Sequence, residues 1–227
     1  MTSTNEGRGW RVRARIGAVT ALVALVSAAA LAAAAEEPRA LIQRTIDQVL
    51  AVLRDKSQND GQRRQQLEVI ARDRFDFVTM SKLVMATNWK KLSPEQQTEF
   101  VDQFTRFLAN DYGARIDRYH QEQVQITGEQ PEARGDHTVK TKIVGGDNDG
   151  ALVDYRLRQK DGSGNWLIID VVVEGISLVA NYRDQFREVA NQGGPVVVIQ
   201  KLKEKNANPS APMPELEPPK KEAPKKS

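Results

Sequence analysis

Two carboxylates are the residues of this chain whose type and spacing come nearest to catalytic chemistry. Asp170 and Glu174 are the only charged residues in the otherwise apolar run 166–174. On a β-strand, residues four apart point to the same face, where two carboxylates can act as general acid and base. The alternative is structural: Asp170 pairs with Arg156 or Arg158 across a hairpin, and Glu174 accepts hydrogen bonds at the following turn. The structural alternative is favoured, because no His, Tyr or Lys obviously converges on the pair.

Other catalytic and metal-binding signatures are missing from the sequence. His120 and His137 are the only histidines, and there is no Cys, so zinc binding is not expected. No H-E-x-x-H motif, glycine-rich phosphate loop or G-x-S-x-G motif is present. We therefore expect no catalytic residue, no metal site and no cofactor, and we predict that the protein is not an enzyme.

The distribution of charge argues against a nucleic-acid-binding protein. The whole chain has 33 basic and 30 acidic residues, but residues 36–200 contain 22 basic and 25 acidic ones. The basic excess therefore lies at the two ends of the chain, and the central part is slightly acidic. A phosphate backbone is bound by a concentration of Lys and Arg, so no nucleic-acid partner is expected.

The two ends of the chain differ in composition from the centre. Four arginines precede the apolar run 16–34, and Ala33-Ala34-Ala35 fits a small-x-small cleavage site, which predicts a cleaved signal peptide over residues 1–35. An uncleaved membrane anchor is the alternative, since the run approaches spanning length. Residues 207–227 are rich in Pro and Lys and are predicted to be disordered. One domain is left, at residues 36–206.

Within this domain, helix patterns come first, strand patterns follow, and helix patterns return at the end. That order is typical of an α+β fold with an antiparallel sheet, rather than of alternating βαβ units. Four strands are predicted, at residues 123–127, 138–144, 152–159 and 165–173. A strongly curved sheet of this size with helices over one face can leave an internal cavity.

Several helix starts are marked by their capping residues. Pro38 suits a first helical turn, Asp76 and Ser177 are N-cap residues, and Ser93 with Gln96 can form a capping box. The helix after Ser93 carries aromatic residues at helical spacing, and by default such a face belongs to a hydrophobic core. These aromatic residues are Phe100, Phe104, Phe107 and Tyr112.

Five sequence blocks occur in an order and spacing that resemble one protein family. They are F-D-F-x-x-M-S from Phe75, W-x-x-L-S-P-E-Q-Q-x-x-F from Trp89, V-x-Y-R-L from Val153, the segment Asp170–Phe186, and the stretch Gly193–Asn206. Together they resemble the MlaC family of periplasmic phospholipid-binding proteins, also labelled toluene-tolerance proteins. The resemblance covers about residues 42–206. It implies an NTF2-like cone extended by a helical part, in which a curved antiparallel sheet of about four strands is wrapped by helices and encloses an apolar cavity.

The resemblance also implies a function and partners. It suggests a soluble periplasmic carrier that moves phospholipid between the outer and inner membranes and so maintains outer-membrane lipid asymmetry. The implied partners are phospholipid, an inner-membrane MCE-domain protein with its ABC transporter, and an outer-membrane complex of a lipoprotein and a porin. Three alternatives stay open: a carrier of hopanoid or another polycyclic lipid, an NTF2-like enzyme using Asp170 and Glu174, and a scaffold whose Lys/Pro-rich tail contacts cell wall or membrane.

The resemblance implies that part of the apolar core is a lipid-binding site. Arg183 is the candidate for the lipid head group, although it can instead pair with Asp184 or Glu188 on its own helix. The residues expected to line the lipid cavity are Phe77, Met80, Leu83, Phe104, Leu108, Tyr112, Val153, Tyr155, Leu157, Ile169, Val171, Val173, Val179 and Tyr182.

Overall fold

The computed structural model describes residues 36–116, 122–160 and 164–208. The predicted signal peptide, residues 209–227 of the predicted disordered tail 207–227, and His120 lie outside the described residues. The helices of the described part are α1 (Pro38–Arg54), α2 (Asp60–Arg74), α3 (Phe77–Met85), α4 (Pro94–Ile116), α5 (Leu178–Gly193) and α6 (Pro195–Ala207), with short 3₁₀ helices at Ala86–Lys91 and Ala133–Gly135. The strands are β1 (Gln123–Pro131), β2 (His137–Val144), β3 (Leu152–Gln159), β4 (Trp166–Val173) and β5 (Ile176–Ser177).

The strands form one antiparallel sheet in which each strand pairs with the next along the chain, in the order β1-β2-β3-β4-β5. The predicted α+β class and antiparallel sheet are confirmed. Irregular register occurs between Ile126 and Gly128 in β1 and beside Arg156 in β3, and such bulges increase the local bend and twist of a sheet. Beyond the bulge, β1 continues to Pro131, past the predicted strand end at Thr127.

The fifth strand is a two-residue addition to the predicted four. Glu174 and Gly175 connect it to β4, and both have positive φ angles, of 51° and 81°. Two such residues between paired strands form the tight hairpin turn whose twist matches that of the strands. β5 leads directly into α5, where the Ser177 hydroxyl accepts a hydrogen bond from the Ala180 backbone N–H at 3.0 Å.

The predicted caps are present at the starts of α3 and α4. Asp76 accepts a hydrogen bond from the Thr79 backbone N–H at 2.9 Å, and the Ser93 hydroxyl accepts one from the Gln96 N–H at 3.3 Å. The Gln96 side chain accepts one from the Ser93 N–H at 2.9 Å, which completes the capping box. These contacts are local in sequence, which is why the residue pattern was sufficient to predict them.

The buried apolar residues form two separate clusters. The helical cluster joins α3, α4, α5 and α6 around the aromatic face of α4, where Phe100, Phe104 and Phe186 meet in stacked and edge-on pairs 5.6–5.9 Å apart. The sheet cluster joins α1 to the inner face of the sheet. Its buried members are Leu41, Ile42, Ile46, Val139, Leu157 and Ile168.

The link between α2 and α3 connects these two clusters. The Asp76 backbone N–H donates to the Ile168 carbonyl oxygen at 2.9 Å, and Phe75 forms a single parallel bridge with Ile168. Phe75 packs against both clusters, as does Val171. Two half-buried side chains therefore span the region where the helical layer meets the sheet.

One strained residue generates a prediction about stability. Ala86 follows α3 with φ 46° and ψ −122°, a conformation that favours glycine, and its side chain is exposed. We expect Ala86→Gly to raise the free energy of unfolding by about 1 kcal/mol, because relief of strain exceeds the added entropy of the unfolded chain. Urea unfolding monitored by circular dichroism measures the change.

The matched control is the same substitution inside a regular helix. Ala51→Gly, at an exposed position of α1, should lower the free energy of unfolding by about 1 kcal/mol. If both variants are destabilised equally, Ala86 is not strained.

Candidate functional site

The carboxylate of Asp170 anchors the start of α5 to the sheet. One oxygen accepts from the Ser177 hydroxyl at 2.6 Å and lies 3.3 Å from the Arg156 guanidinium, while the other accepts from the Val179 backbone N–H at 3.1 Å. Asp170 is only 1% exposed, and a buried carboxylate is stable only when donors surround it. These contacts join β4 to the start of α5 and to Arg156 of β3. The predicted pairing of Asp170 with Arg156 is therefore confirmed.

Glu174 does not share a strand face with Asp170, so the geometry behind the acid–base hypothesis was wrong. Glu174 lies beyond the end of β4, in the turn, with φ 51°. Its carboxylate accepts from the Leu152 backbone N–H at 2.7 Å and thus ties the turn to the start of β3. Because a left-handed residue breaks the alternation of a strand, the spacing of four does not place both carboxylates together.

Arg158, the other predicted partner of Asp170, pairs with a different carboxylate. Arg158 binds both carboxylate oxygens of Asp136 at 2.6 and 2.7 Å, and this carboxylate raises the pKa of the guanidinium above its already high value. Within the described residues, no group of three or more His, Cys, Asp and Glu is placed to hold a metal ion. The same part of the chain holds no helix long and apolar enough to span a membrane.

The more distinctive feature of the described residues is a group of half-buried apolar side chains that pack against the two clusters, of which Phe75 and Val171 contact both. We call this group the seam. Its members share two properties, partial exposure and contact with a buried cluster, and they come from α3, α4, β3, β4 and the C-cap of α2. They are Phe75, Phe77, Leu83, Tyr112, Tyr155 and Val171.

Five of the fourteen predicted lipid-lining residues belong to the seam: Phe77, Leu83, Tyr112, Tyr155 and Val171. Five others are enclosed in the helical cluster, namely Met80, Phe104, Leu108, Val179 and Tyr182, and Leu157 is enclosed in the sheet cluster. Ile169 is buried at the register irregularity between β3 and β4, and Val153 and Val173 are half-buried partners in the same pairing. Lipid contact by these residues stays a prediction.

Phe75 is the seam residue that the predicted lining set omitted. Its ring stacks on that of Phe77, with centroids 5.7 Å apart and planes at 18°. The two residues flank Asp76, so the F-D-F pattern was visible in the sequence. Periodicity did not reveal its place, because Phe75 precedes the helix and contacts the sheet through a long-range bridge.

The six seam side chains carry two polar atoms, the hydroxyl oxygens of Tyr112 and Tyr155. Burial raises the pKa of the Tyr155 hydroxyl to about 12, because the phenolate would lie in surroundings of low polarity. The hydroxyl oxygens of Tyr112 and Tyr182 lie 3.5 Å apart, the outer limit of a hydrogen bond. The seam therefore offers apolar contact over most of its area, with phenolic groups as its polar features.

Arg183, the predicted head-group residue, is half-buried on α5 one turn beyond its start. Neither of its predicted helix partners pairs with it in the described part of the chain. Asp184 instead pairs with Arg187 at 3.1 Å, and Glu188 is exposed. The Arg183 guanidinium is thus left without an ion pair among the described residues.

A concave region lies away from the seam, between α1 and α2. This cleft has a volume of about 640 Å³ and is lined by three apolar residues and four glutamines: Val52, Val69, Ile70, Gln58, Gln62, Gln65 and Gln66. None of the predicted lipid-lining residues borders it. Its amide-rich wall differs from the apolar lining that was predicted for a lipid cavity.

The Asp170 contacts predict a large loss of stability on substitution. Asp170→Ala removes two hydrogen bonds and one ion pair, leaving the Val179 N–H without its acceptor, and should lower the free energy of unfolding by about 3 kcal/mol. Urea denaturation measures this loss.

The control for Asp170→Ala is a carboxylate on the surface of α5, the helix that Asp170 anchors. Asp184→Ala removes an exposed pair with Arg187 and should change the free energy of unfolding by about 0.5 kcal/mol or less. If the two variants unfold at the same urea concentration, Asp170 is not the anchor described above.

Comparison with known proteins supports the same fold and assigns a family. The toluene tolerance protein ttg2D of Pseudomonas putida is 27% identical over 178 residues, covering 76% of this chain and 82% of the relative. The intermembrane phospholipid transport system binding protein MlaC of Haemophilus influenzae is 22% identical over 186 residues, covering 78% of this chain and 86% of the relative.

A solved structure has the same fold. It is that of a phospholipid-binding protein from Ralstonia solanacearum in complex with a phospholipid, with a TM-score of 0.68 and 24% identity. The match covers 76% of this chain and 98% of that one. The family model described as MlaC protein matches residues 43–204, which include every predicted lipid-lining residue. The chain therefore belongs to the MlaC family.

Proposed function

We propose that this protein binds a phospholipid along the seam and carries it between membranes. The observation that carries the proposal is the split core, in which apolar side chains at the junction of two clusters stay half-buried. Apolar side chains that converge at such a junction gain from contact with an apolar ligand. The phospholipid named in the relatives from Haemophilus influenzae and Ralstonia solanacearum supports the choice of ligand.

The chemistry of the ligand explains why such a carrier is needed. Two acyl chains contain roughly 30 methylene groups, each worth about 0.8 kcal/mol on removal from water, so free lipid does not cross an aqueous space at a useful rate. A bilayer buries the same chains equally well, so transfer from membrane to protein has a free energy near zero. Small differences in binding at each docking site then decide the direction of transfer.

Arg183 is the proposed contact for the phosphate of the head group. A half-buried guanidinium without an ion pair in the described chain can form charge-assisted hydrogen bonds with a phosphate. Since apolar burial is non-directional, binding is driven by the acyl chains and tolerates different substituents beyond the phosphate.

The family and the predicted signal peptide support a proposal for the site of action and the partners. We place the protein in the periplasm after cleavage of the predicted signal peptide 1–35. There it exchanges lipid with an inner-membrane MCE-domain protein and its ABC transporter, and with an outer-membrane lipoprotein–porin complex. The ATP needed for directional transport is hydrolysed by the transporter, because the chain has no phosphate-binding loop.

The competing functions differ in the ligand or in the use of Asp170. A carrier of hopanoid would use the same apolar seam but would have no need for a phosphate contact. An enzyme would require a carboxylate free to accept a proton, whereas Asp170 accepts hydrogen bonds through both oxygens.

The decisive first experiment is lipid mass spectrometry of protein purified without detergent. One diacyl phospholipid per chain supports the proposal, and a hopanoid or no lipid contradicts it.

A larger side chain in the seam should reduce the amount of bound lipid. Val171→Trp should reduce bound lipid about tenfold, because the larger side chain occupies space at the junction of the clusters. The measurement is lipid phosphorus per folded protein. Val172→Trp is the control, because this neighbour points to the opposite face of β4, and it should retain full loading. Full loading of the folded Val171→Trp protein would contradict the assignment.

The head-group contact predicts a change in selectivity. In vesicles containing equal amounts of phosphatidylglycerol and diacylglycerol with identical chains, Arg183→Gln should lower the bound ratio of phospholipid to diacylglycerol about threefold, since one charged contact is lost. Arg187→Gln, on the same helix but paired with Asp184, should leave the ratio unchanged. Equal ratios in all three proteins would exclude Arg183 as the phosphate contact.

A further inference from the structure

Tyr155 lies on the inner face of the sheet, at the edge of the seam. In the sheet register its neighbours are Val139 on β2 and Val171 on β4, and its ring packs against the sheet cluster. The adjacent residues of β3, Asp154 and Arg156, point to the opposite face. Although it packs among buried apolar residues, Tyr155 keeps part of its surface accessible.

The hydroxyl of Tyr155 has no hydrogen-bond partner among the described residues. This is uncommon, because a phenolic hydroxyl in protein surroundings usually finds an acceptor. Unlike the Ser81 hydroxyl oxygen, which is sealed from solvent without a partner, the Tyr155 oxygen borders space that another atom can occupy. The hydroxyl thus has a free donor that faces accessible space between apolar walls.

The surroundings determine which acceptor suits this donor. Burial holds the phenol in its neutral form, with a pKa of about 12, and the same burial would make a phosphate anion at this place costly. Its register neighbours are both valines, and Arg158 is engaged by Asp136. A neutral carbonyl oxygen is therefore the fitting acceptor, and in a phospholipid the neutral carbonyls belong to the two esters that join the acyl chains to glycerol.

We propose that the Tyr155 hydroxyl donates a hydrogen bond to an acyl-ester carbonyl oxygen of the bound lipid, which makes the site selective for ester-linked chains. This inference rests on the proposed function and adds a position for the glycerol ester. The acyl chains extend from this point along the apolar seam, and the phosphate lies away from Tyr155, toward more polar surroundings. Specificity then comes from the linkage between chain and glycerol rather than from the head group.

The test is a competition between two lipids in the same sample. The purified full-length mature protein is equilibrated with vesicles that contain equal amounts of dioleoyl phosphatidylglycerol and its di-O-oleyl ether analogue, which has no ester carbonyl. The lipid that stays with the protein is quantified by mass spectrometry. We expect the wild-type protein to hold about five times more ester than ether lipid, and Tyr155→Phe to hold the two in a ratio near one.

A matched variant controls for the loss of any hydroxyl from the inner face of the sheet. Thr141 is fully buried there, and its hydroxyl already donates to the Val153 carbonyl oxygen at 2.5 Å. Thr141→Val should therefore keep the fivefold preference. The ratio is measured only on folded, lipid-bearing protein, so partial unfolding of a variant does not mimic the effect.

Each outcome bears on a different statement. A ratio near one in the wild-type protein, or an unchanged preference in Tyr155→Phe, overturns the role of Tyr155 while phospholipid binding itself stands. Binding of neither lipid by folded wild-type protein contradicts the proposed function, and this inference fails with it. A preference lost equally in Tyr155→Phe and Thr141→Val also overturns the assignment, because the effect would not belong to the free hydroxyl.

Discussion

The buried carboxylate of Asp170 is the constraint on which the arrangement of the two layers depends. Apolar burial stabilises contact between a helix and a sheet without fixing their relative position. Hydrogen bonds are directional, and those from Ser177 and Val179 fix the first turn of α5 at one point on β4. With that end held, Tyr182 and Phe186 face the aromatic residues of α4, and the helical cluster is assembled around them.

A second directional contact lies at the other entry to the helical layer. The Asp76 N–H binds the Ile168 carbonyl oxygen, so that α3 begins at the sheet, as α5 does. Both helices are tied to β4, while α1 covers the sheet through a cluster of its own. Because the layers are joined at fixed points, the apolar residues between them need not pack to full burial. We therefore attribute the half-buried seam residues to this arrangement. It is consistent with their position beside β4, the strand to which both α3 and α5 are hydrogen-bonded.

The sequence was sufficient for features that depend on local contacts and insufficient for those that depend on distant ones. The caps at Asp76, Ser93 and Ser177 follow from residues within three positions, and all were predicted. The pairing of Asp170 with Arg156 was predicted as an alternative because a hairpin makes it nearly local. Glu174 was misplaced, since strand alternation does not reveal where a left-handed turn begins. The place of Phe75 and the unpartnered hydroxyl of Tyr155 depend on the packing of distant elements, which no periodicity reports.

A split core also has a consequence for how a carrier exchanges its cargo. Incompletely buried apolar side chains forgo contacts that a ligand can supply. A lipid bound there stabilises the folded state by an amount that grows with the logarithm of its free concentration relative to its dissociation constant. Release then returns the protein to a less stable form. For exchange to proceed without a large barrier, the membrane or docking partner must replace the lost contacts as the lipid leaves. In the proposed carrier, the aromatic cluster around Phe104 and the anchor at Asp170 keep the fold intact during this step, while the half-buried seam residues change their contacts. If the seam binds lipid as proposed, the half-buried residues that contact the cargo are distinct from the hydrogen-bonded ties at Asp76 and Asp170 that join the helices to β4.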